Sequence, residues 1–143
     1  MKLKIAWIGK TKEPAIQTLT TDYVKRLSRY VSSEAREFPS EAALLKSLEK
    51  SPAMLVLLDG SGRQLSSEQL AAFLDSHQNR GTAALLFAIG AADGFSDAAR
   101  RASGLQLSLG KMTLPHELAR VVLVEQLYRA YTILKGHPYH LGH

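Results

Sequence analysis

The chain has 143 residues, of which 45% are hydrophobic and 22% are charged, the composition of one ordinary globular domain. It contains no cysteine, which excludes a disulfide framework, a thiolate nucleophile and a cysteine-type zinc site. The formal charge of +5 favours a partner that carries phosphates. Because there is neither a signal-peptide pattern nor an apolar stretch of about 18 residues, we expect a cytoplasmic protein that does not enter a membrane.

The first half of the chain alternates strand patterns with helical patterns. Lys2 to Gly9 predicts a strand, and Pro14 to about Tyr30 predicts a helix, because proline suits a first helical turn. A weaker strand follows over Glu34 to Phe38. The next helix begins after Ser40, a plausible N-cap, and runs to Glu49.

The second half continues this alternation. The runs "AMLVLLDG" and "TAALLFAIG" are almost continuously apolar, as in strands buried on both faces. Between them, "LSSEQLAAFLDSHQ" predicts a helix capped by Ser66 or Ser67. A short helix from Ser96 to Ser103, a strand "LQLSLG", a helix from about Pro115 to Lys135 and a polar tail "GHPYHLGH" complete the chain. The pattern predicts an α/β fold, a single domain over residues 1–143 with a mostly parallel sheet flanked by helices.

The last predicted helix is apolar over most of its circumference. One uncharged face carries Ala119, Val122, Leu123, Leu127, Ala130 and Leu134. The opposite side mixes Leu118, Val121, Val124 and Tyr128 with Glu117, Arg120, Glu125 and Arg129. Such a helix needs cover on both sides, and in a small chain the sheet can cover one side and a second subunit the other. We therefore predict a homodimer, with burial inside the monomer as the alternative.

Glycine-containing loops follow the last three predicted strands. They are Leu58-Asp59-Gly60, Gly90 to Gly94, and Gly110 to Pro115. In open α/β sheets, ligands bind beyond the carboxyl ends of the strands, and glycine lets the backbone approach a ligand closely. These loops are therefore expected to form one pocket.

Known phosphate-binding templates do not fit these loops. A P-loop has four residues between its glycines and then a lysine and a hydroxyl residue. Here five residues separate Gly104 from Gly110, and Met112 follows Lys111. The dinucleotide fingerprint also fails around Gly90. Apolar Met112 and Leu114, together with backbone polar groups, better suit a flat purine than a polyphosphate.

Four segments together resemble a known enzyme family. The segments "LLDGSGRQLSSEQLA", "AIGAADG", "LSLGKMTLPHELARVVLVEQLYRA" and "HPYH" are similar to the ribosomal RNA large-subunit methyltransferase H family. These are small SPOUT-class enzymes that methylate N3 of a pseudouridine in 23S rRNA with S-adenosyl-L-methionine. The resemblance covers essentially the whole chain. It implies a homodimer that acts on rRNA in the ribosome and a C-terminal trefoil knot whose loops fold around the cofactor.

Carried onto this sequence, the resemblance implies a set of cofactor contacts at the three strand ends. They are Leu58, Gly90, Leu109, Gly110, Lys111, Met112, Thr113 and Leu114. The backbone of residues 109–114 would hydrogen-bond the adenine, and Met112 and Leu114 would pack around it. The resemblance therefore selects the same loops as the strand-end argument.

The chain departs from the family pattern in two places. The family usually has two glycines where this chain has Gly90-Ala91, and alanine at a positive φ would cost about 1 kcal/mol or more. The family tail usually stops with a basic residue, whereas Leu141-Gly142-His143 follows here. These departures are the support for an alternative function, a catalytically silent dimeric RNA-binding module of the same fold.

Methylation at N3 requires the imide proton to leave, so a general base or a stabilising cation is expected. The candidates are His140, Tyr139, Arg120 and His116. His140 could accept or relay the proton, Tyr139 could stack on a base, and Arg120 could neutralise the imide anion or hold a phosphate. His116 could equally be a helix cap or a polar core residue. The sequence leaves the general base open among these four residues.

A metal site and an RNA surface are the two further possibilities that the histidines and the basic residues raise. His137, His140 and His143 recur every third residue, but Pro138 disrupts a helix there and no carboxylate is near in sequence, so we predict no metal. Contacts to RNA are expected from clustered cations. These cations are Lys10, Lys12, Lys25, Arg26, Arg29, Arg100 and Arg101.

Overall fold

The computed structural model describes residues 1–141 as one layer of parallel strands between two layers of helices. The strands are β1 (Lys2–Ile8), β2 (Ser32–Phe38), β3 (Met54–Gln64), β4 (Ala84–Ile89) and β5 (Leu105–Ser108). The helices are α1 (Pro14–Leu27), α2 (Glu41–Lys50), α3 (Ser67–Asn79), α4 (Asp97–Ala102) and α5 (His116–Leu134), followed by a 3₁₀ turn at Pro138–His140. The sheet order is β2-β1-β4-β3-β5, and every ladder is parallel. The predicted α/β class is confirmed.

Serine caps start three of the helices where the sequence predicts them. The Ser40 hydroxyl accepts from the Ala43 N–H at 3.1 Å, and the Ser96 hydroxyl accepts from the Ala99 N–H at 3.2 Å. Ser66 is the cap of α3, because its hydroxyl accepts from the Gln69 N–H at 3.0 Å while the Gln69 side chain accepts from the Ser66 N–H at 2.8 Å. Each cap satisfies donors that a helix N-terminus leaves without a partner.

The structure differs from the prediction at several element boundaries and in the tail. Helix α1 ends at Leu27, three residues before Tyr30, and the polar tail contains a 3₁₀ turn. Strand β3 does not end at Gly60 but continues to Gln64 through an irregularity and pairs again with β5. Gly62 permits this second pairing, because a Cβ there would lie 2.5 Å from the carbonyl oxygen of Gln106.

Strand alternation divides the core between the two faces of the sheet. Leu85, Phe87 and Ile89 of β4 pack with α1, α3 and α5, whereas Leu86 and Ala88 pack with α2 and α4. All six residues of β4 are buried, which explains the continuous apolar run in the sequence. The parallel arrangement brings the carboxyl ends of all five strands to one edge of the sheet.

Helix α5 lies on the sheet between α1 and α3, and much of its second side is covered within the chain. Val124 is fully buried, and Tyr128 packs against the rings of Tyr23 and Tyr30. The large hydrophobic side chains left exposed near this side are Leu19 of α1 and Leu118 of α5. The homodimer stays a prediction, with a smaller uncovered face than the helical pattern alone indicates.

Two further expectations concern the chain as a whole. Within residues 1–141, no helix combines the length and the apolar character needed to cross a bilayer. The trefoil knot that the resemblance implies stays a prediction.

Candidate active site

The strand-end loops converge on one cavity of about 580 Å³ at the carboxyl edge of the sheet. All eight predicted cofactor contacts line this cavity: Leu58, Gly90, Leu109, Gly110, Lys111, Met112, Thr113 and Leu114. The start of α5 closes one side with His116 and Ala119. The irregular segment of β3 and the loops after β4 and β5 thus form a single concave site, as their positions in the sequence predict.

The loop between β5 and α5 presents its backbone to the cavity. Its first turn is held by Ser108, whose hydroxyl donates to the Gly110 carbonyl at 2.9 Å and accepts from the Gly110 N–H at 3.2 Å. Gly110 has φ of +136°, a conformation that favours glycine. Within residues 1–141, the N–H groups of Lys111, Met112 and Thr113 make no hydrogen bond. These donors can therefore bind the edge of a heterocyclic base.

The loop after β4 is a tight turn that accommodates alanine at position 91. The Gly94 N–H donates to the Ala91 carbonyl at 2.9 Å, and Gly94 takes the positive φ of +77°. In the described part of the chain no residue other than glycine has a positive φ, so Ala91 carries no such strain. Gly90 itself is enclosed, because a Cβ there would lie 3.2 Å from Gly94 and from the Phe95 ring.

The irregular segment within β3 is fixed by Asp59. Its carboxylate accepts from the Ser61 N–H at 3.0 Å, from the Ser61 hydroxyl at 2.9 Å and from Arg100 Nε at 2.8 Å. The Ser61 N–H and the Arg100 guanidinium lower the pKa of Asp59. Arg100, which the sequence suggests as an RNA contact, is held by Asp59 and by Asp97, while Arg101 is exposed. An aspartate before Gly-Ser after a strand is the turn signal that could have indicated this role.

The chemistry of the cavity fits a nucleoside that carries an apolar or thioether chain. Its walls are apolar at Leu58, Ile89, Leu109 and Leu114, and its polar groups are mostly backbone. Met112 is 85% exposed, so it stands at the mouth rather than in the floor. The cationic or titratable donors in the lining are Lys111 and His116, too few for a polyphosphate. The residues present therefore fit S-adenosylmethionine.

Of the catalytic candidates, His116 is the one that lines this cavity. The N-cap position of α5 is Pro115 and has no side-chain cap hydrogen bond. His116 is half-buried and makes no hydrogen bond with the other described residues, so it acts neither as a cap nor as a paired core residue. Its imidazole is available to a ligand in the cavity.

Tyr139 and His140 do not line the strand-end cavity. His140 Nε2 is 2.7 Å from Glu68 Oε1, and His140 Nδ1 is 3.0 Å from Arg129 Nη1. Because a guanidinium can only donate, Nδ1 is the acceptor and Nε2 carries the proton that is donated to Glu68. Both nitrogens of His140 are thus engaged, and the hydrogen bond from His140 lowers the pKa of Glu68. Sequence reasoning missed Glu68, which is 72 residues away along the chain.

The Tyr139 ring packs within the chain. Its centroid is 4.8 Å from that of Tyr128 in an edge arrangement, and the Arg129 guanidinium lies 4.9 Å from the Tyr139 centroid. The Tyr139 hydroxyl donates to Glu125 at 3.5 Å, and burial raises the pKa of Tyr139. Arg129 also donates to Glu125 from Nε at 2.7 Å. We call Glu68, Glu125, Arg129, Tyr139 and His140 the tail cluster.

Arg120 is buried inside the chain, beside Trp7 of β1. Its side chain is fully buried, its Nη1 donates to the Thr11 hydroxyl at 2.7 Å, and its guanidinium lies 5.1 Å from the Trp7 ring. Among the residues that the structure describes, it does not line the strand-end cavity. The sequence suggests Arg120 as a partner for the imide anion or for a phosphate, and within the described residues its guanidinium contacts Thr11 and Trp7 instead of lining the cavity.

The other predicted contacts are dispersed. Lys10 and Lys12 are exposed in the loop after β1, at the same edge of the sheet as the cavity. Arg26 pairs with Asp22 at 3.2 Å and lies over Tyr23. No group of three metal-ligating side chains occurs within residues 1–141, and His143 lies outside the described residues, as does Gly142 of the atypical tail.

Comparison with known proteins supports the same assignment. The family model described as a predicted SPOUT methyltransferase matches residues 1–140. The chain belongs to the SPOUT methyltransferase family. A ribosomal RNA large subunit methyltransferase H from Koribacter versatilis is 58% identical over the full length of both chains.

Solved structures described as a methylase family protein and as a methyltransferase agree at the level of the fold. A probable methylase family protein from Haemophilus influenzae matches with a TM-score of 0.64 at 9% identity, over 96% of this chain and 70% of that one. A putative methyltransferase from Legionella pneumophila, solved with bound S-adenosylmethionine, matches with a TM-score of 0.52 at 15% identity, over 91% and 66% of the two chains.

Proposed function

We propose that this SPOUT methyltransferase transfers a methyl group from S-adenosyl-L-methionine to N3 of a pseudouridine in 23S rRNA of the large ribosomal subunit. The substrate class comes from the relative named as a large-subunit rRNA methyltransferase, which aligns over the full chain. The observation that carries the proposal is the convergence of the three strand-end loops, with unpartnered backbone donors, in one cavity. This arrangement can recognise an adenine by its edge.

The residues of the cavity position the reacting groups. Leu58 and Gly90 would contact the cofactor from one side, and residues 109–114 would hold its base through backbone groups. When bound, the cofactor supplies an electrophilic methyl group on a sulfonium. Because the transfer is an in-line displacement, orientation provides much of the acceleration, and rigid strand ends are suited to provide it.

Removal of the N3 proton is assigned to histidine. His116 faces the cavity of its own subunit without a hydrogen-bond partner among the described residues. His140 could accept a proton at Nδ1 only after Arg129 releases that nitrogen. In a homodimer the tail cluster of one subunit would stand beside the cavity of the other, which would bring His140 and Tyr139 to the RNA side of the site. Arg120 does not line the cavity, so in this proposal it would not contact the reacting base.

The same proposal includes a homodimer, an RNA-binding edge and a cytoplasmic location. The homodimer would bury the exposed Leu19 and Leu118 against a second copy. The RNA would meet the exposed Lys10, Lys12 and Arg101 at the carboxyl edge of the sheet. An enzyme of this activity would work in the cytoplasm, where ribosomes are assembled.

The alternative of a catalytically silent RNA-binding module loses one of its two supports. The strain expected at Ala91 is absent, because Gly94 takes the positive φ in that turn. The other support, the atypical tail ending, extends beyond the described residues.

The decisive experiment is mass mapping of 23S rRNA from cells with and without the gene. We expect one fragment that contains pseudouridine to lose 14 Da, about the mass of a methylene group, and to regain it when the wild-type gene returns. Identical fragment masses in the two strains would contradict the assignment. Calorimetry with S-adenosylmethionine on the purified protein then separates a silent module, which need not bind it, from an enzyme with another substrate.

A further inference from the structure

A groove lies between α2 and the part of the sheet formed by β1 and β2, on the face of the sheet opposite α5. Its volume is about 450 Å³, and none of its lining residues lines the strand-end cavity. Strand β1 supplies Lys4, β2 supplies Arg36, and α2 supplies Lys46 and Lys50. The proposed homodimer uses α1 and α5, so it would leave this groove open. We call it the α2 groove.

Lys4 is the residue that makes this part of the sheet unusual. Strand β1 lies between β2 and β4, and inner strands of parallel sheets are normally apolar on both faces. Leu3 and Ile5 follow this rule and are buried on the face of α5, whereas Lys4 is half-buried on the other face. Its Nζ donates to the Ser51 hydroxyl at 2.6 Å, which supplies a hydrogen bond but no opposite charge. A lysine at this position suits a polar occupant of the groove rather than an apolar one.

The α2 groove carries an excess of positive charge. Arg36, Lys46 and Lys50 are exposed, and none of the four cations of the groove lies within 4.0 Å of a carboxylate oxygen of the described residues. Among those residues the one carboxylate in the lining is Glu34, and it is 3.1 Å from Lys2, a cation outside the lining. Lys46 and Lys50 are one helical turn apart, where like charges repel. An anionic occupant would offset this repulsion.

The lining of the groove also offers surfaces for flat groups. Ala6, Phe38 and Leu86 contribute apolar side chains. The Arg36 guanidinium lies 4.5 Å from the centroid of the Phe38 ring. A guanidinium plane can stack on a nucleobase, and its donors can bind a phosphate. The groove thus combines cations for phosphates with surfaces for bases, the combination found in sites for single-stranded nucleic acid.

The size and the lining of the groove together select among anions. Ligand cavities of about 300–1,000 Å³ hold molecules of drug size, so the α2 groove is larger than a single phosphate ion requires. An acidic peptide would match the positive charge, but its carboxylates would bring no flat ring to Arg36. A nucleotide chain brings both phosphates and bases.

We propose that the α2 groove binds a single-stranded segment of rRNA, with phosphates at Lys4, Lys46 and Lys50 and a base at Arg36. This inference rests on the proposed function, which makes rRNA the substrate. It adds a second RNA surface at the β2 and β1 side of the sheet, whereas the strand-end cavity lies at the ends of β3, β4 and β5. The groove therefore contributes to RNA affinity and not to methyl transfer itself.

The first test measures binding of 23S rRNA as a function of salt. Lys46→Gln/Lys50→Gln removes two exposed cations that have no partner among the described residues. Loss of two phosphate contacts should weaken binding about tenfold at about 0.1 M salt and reduce the slope of log K against log salt by about 1.4 units. The KM for RNA should rise by a similar factor, with kcat within about twofold of the wild type and an unchanged affinity for S-adenosylmethionine.

A charge-matched control separates the groove from the net charge of the protein. Arg63→Gln/Lys135→Gln removes two exposed cations outside the groove and should bind RNA as the wild type does. Equal losses in the two double variants, or wild-type binding by Lys46→Gln/Lys50→Gln, would overturn the proposal. Either result leaves the proposed function standing as long as the wild type methylates 23S rRNA. A wild type that neither binds nor methylates this RNA would refute both.

A second test locates the RNA directly. Because the chain has no cysteine, an introduced thiol is the single site of alkylation by a maleimide. Ser47 lines the α2 groove, whereas Ser76 is exposed on α3. At an RNA concentration about ten times its Kd, alkylation of Ser47→Cys should slow about tenfold and that of Ser76→Cys should not change, since only free protein exposes the groove. Equal protection of both variants would overturn the proposal. Protection of Ser47→Cys by poly-aspartate at the same concentration of charge would overturn it in favour of an acidic protein partner.

Discussion

The strand-end cavity and the tail cluster consist of different kinds of chemical groups. The cavity is made of loop backbone, glycine and apolar side chains, with Asp59 already engaged by Ser61 and Arg100. The tail cluster is made of charged and aromatic side chains from α3, α5 and the 3₁₀ turn. Backbone groups do not titrate and need no long side chain to be ordered, which suits tight recognition of a cofactor. Side-chain networks can rearrange, which suits proton transfer and RNA contact.

This contrast indicates a division of labour between the two regions. The cavity would hold S-adenosylmethionine without help from the tail, and the tail cluster would act on the RNA. Each variant below changes one region. Its effect shows whether cofactor binding and action on the RNA belong to different regions.

Removal of the end of the chain after Pro138 should have the largest effect. We expect single-turnover methylation of 23S rRNA to fall by about a hundredfold or more, because a general base contributes about 10²- to 10⁴-fold. Leu141→Ala is the matched control, since Leu141 is 74% exposed and this change keeps Tyr139 and His140. Full activity of the shortened chain would remove the tail from the mechanism and leave His116 as the candidate base.

Gly110→Val should have the next largest effect, and on the other region. A branched side chain at φ of +136° strains the loop and obstructs the backbone that faces the cofactor, so calorimetry should show at least tenfold weaker binding of S-adenosylmethionine. Gly81→Val is the control, because Gly81 also has a positive φ, +77°, but lies in the turn before β4. Equal affinities for both variants and the wild type would exclude the loop from the site.

Glu68→Ala should slow methyl transfer without changing cofactor binding in the cavity. It removes the acceptor that fixes the proton of His140 on Nε2. We expect the single-turnover rate to fall about three- to tenfold, since a hydrogen bond to a charged group contributes on the order of 1.5 kcal/mol. Glu68→Asp should recover part of the loss, whereas cofactor affinity should be the same in all three proteins. A rate unchanged in Glu68→Ala would show that the contact has no catalytic role.

Asp59→Asn should produce the smallest effect, on stability. The folded-state pKa of Asp59 lies below its ordinary value of 3.8, so its contribution is present above that pH and is lost as the pH falls through the lowered value. Because Arg100 is 38% exposed, we expect a loss of about 0.5–1 kcal/mol at about pH 7. Urea unfolding at about pH 7 and pH 3 should show the difference between wild type and variant shrinking at the lower pH. A constant difference would assign it to packing rather than to the carboxylate charge.

The cavity was predictable from the sequence because its signals are local. Apolar runs mark the strands, glycines mark their ends, and parallel strands bring those ends to one edge. The caps at Ser40, Ser66 and Ser96 were predictable for the same reason, because each serine bonds an N–H only three residues further along the chain.

The tail cluster and the buried position of Arg120 were not predictable, because they depend on contacts between distant residues. Glu68 and His140 are 72 residues apart, and Arg120 and Thr11 are 109 apart. A helical pattern gives the direction of a Cα–Cβ bond but not the path of a long side chain, so it could not show that the Arg120 guanidinium reaches Thr11 and Trp7. The backbone angles of Ala91 likewise depend on Gly94 and the turn they share.

The division of labour is tested most directly by calorimetry of S-adenosylmethionine with the full chain and with the chain that ends at Pro138. Our account predicts dissociation constants that agree within about twofold, because the described tail residues 139–141 do not line the strand-end cavity. A tenfold or greater loss of affinity in the shortened chain would contradict it and would show that the tail closes over the cofactor.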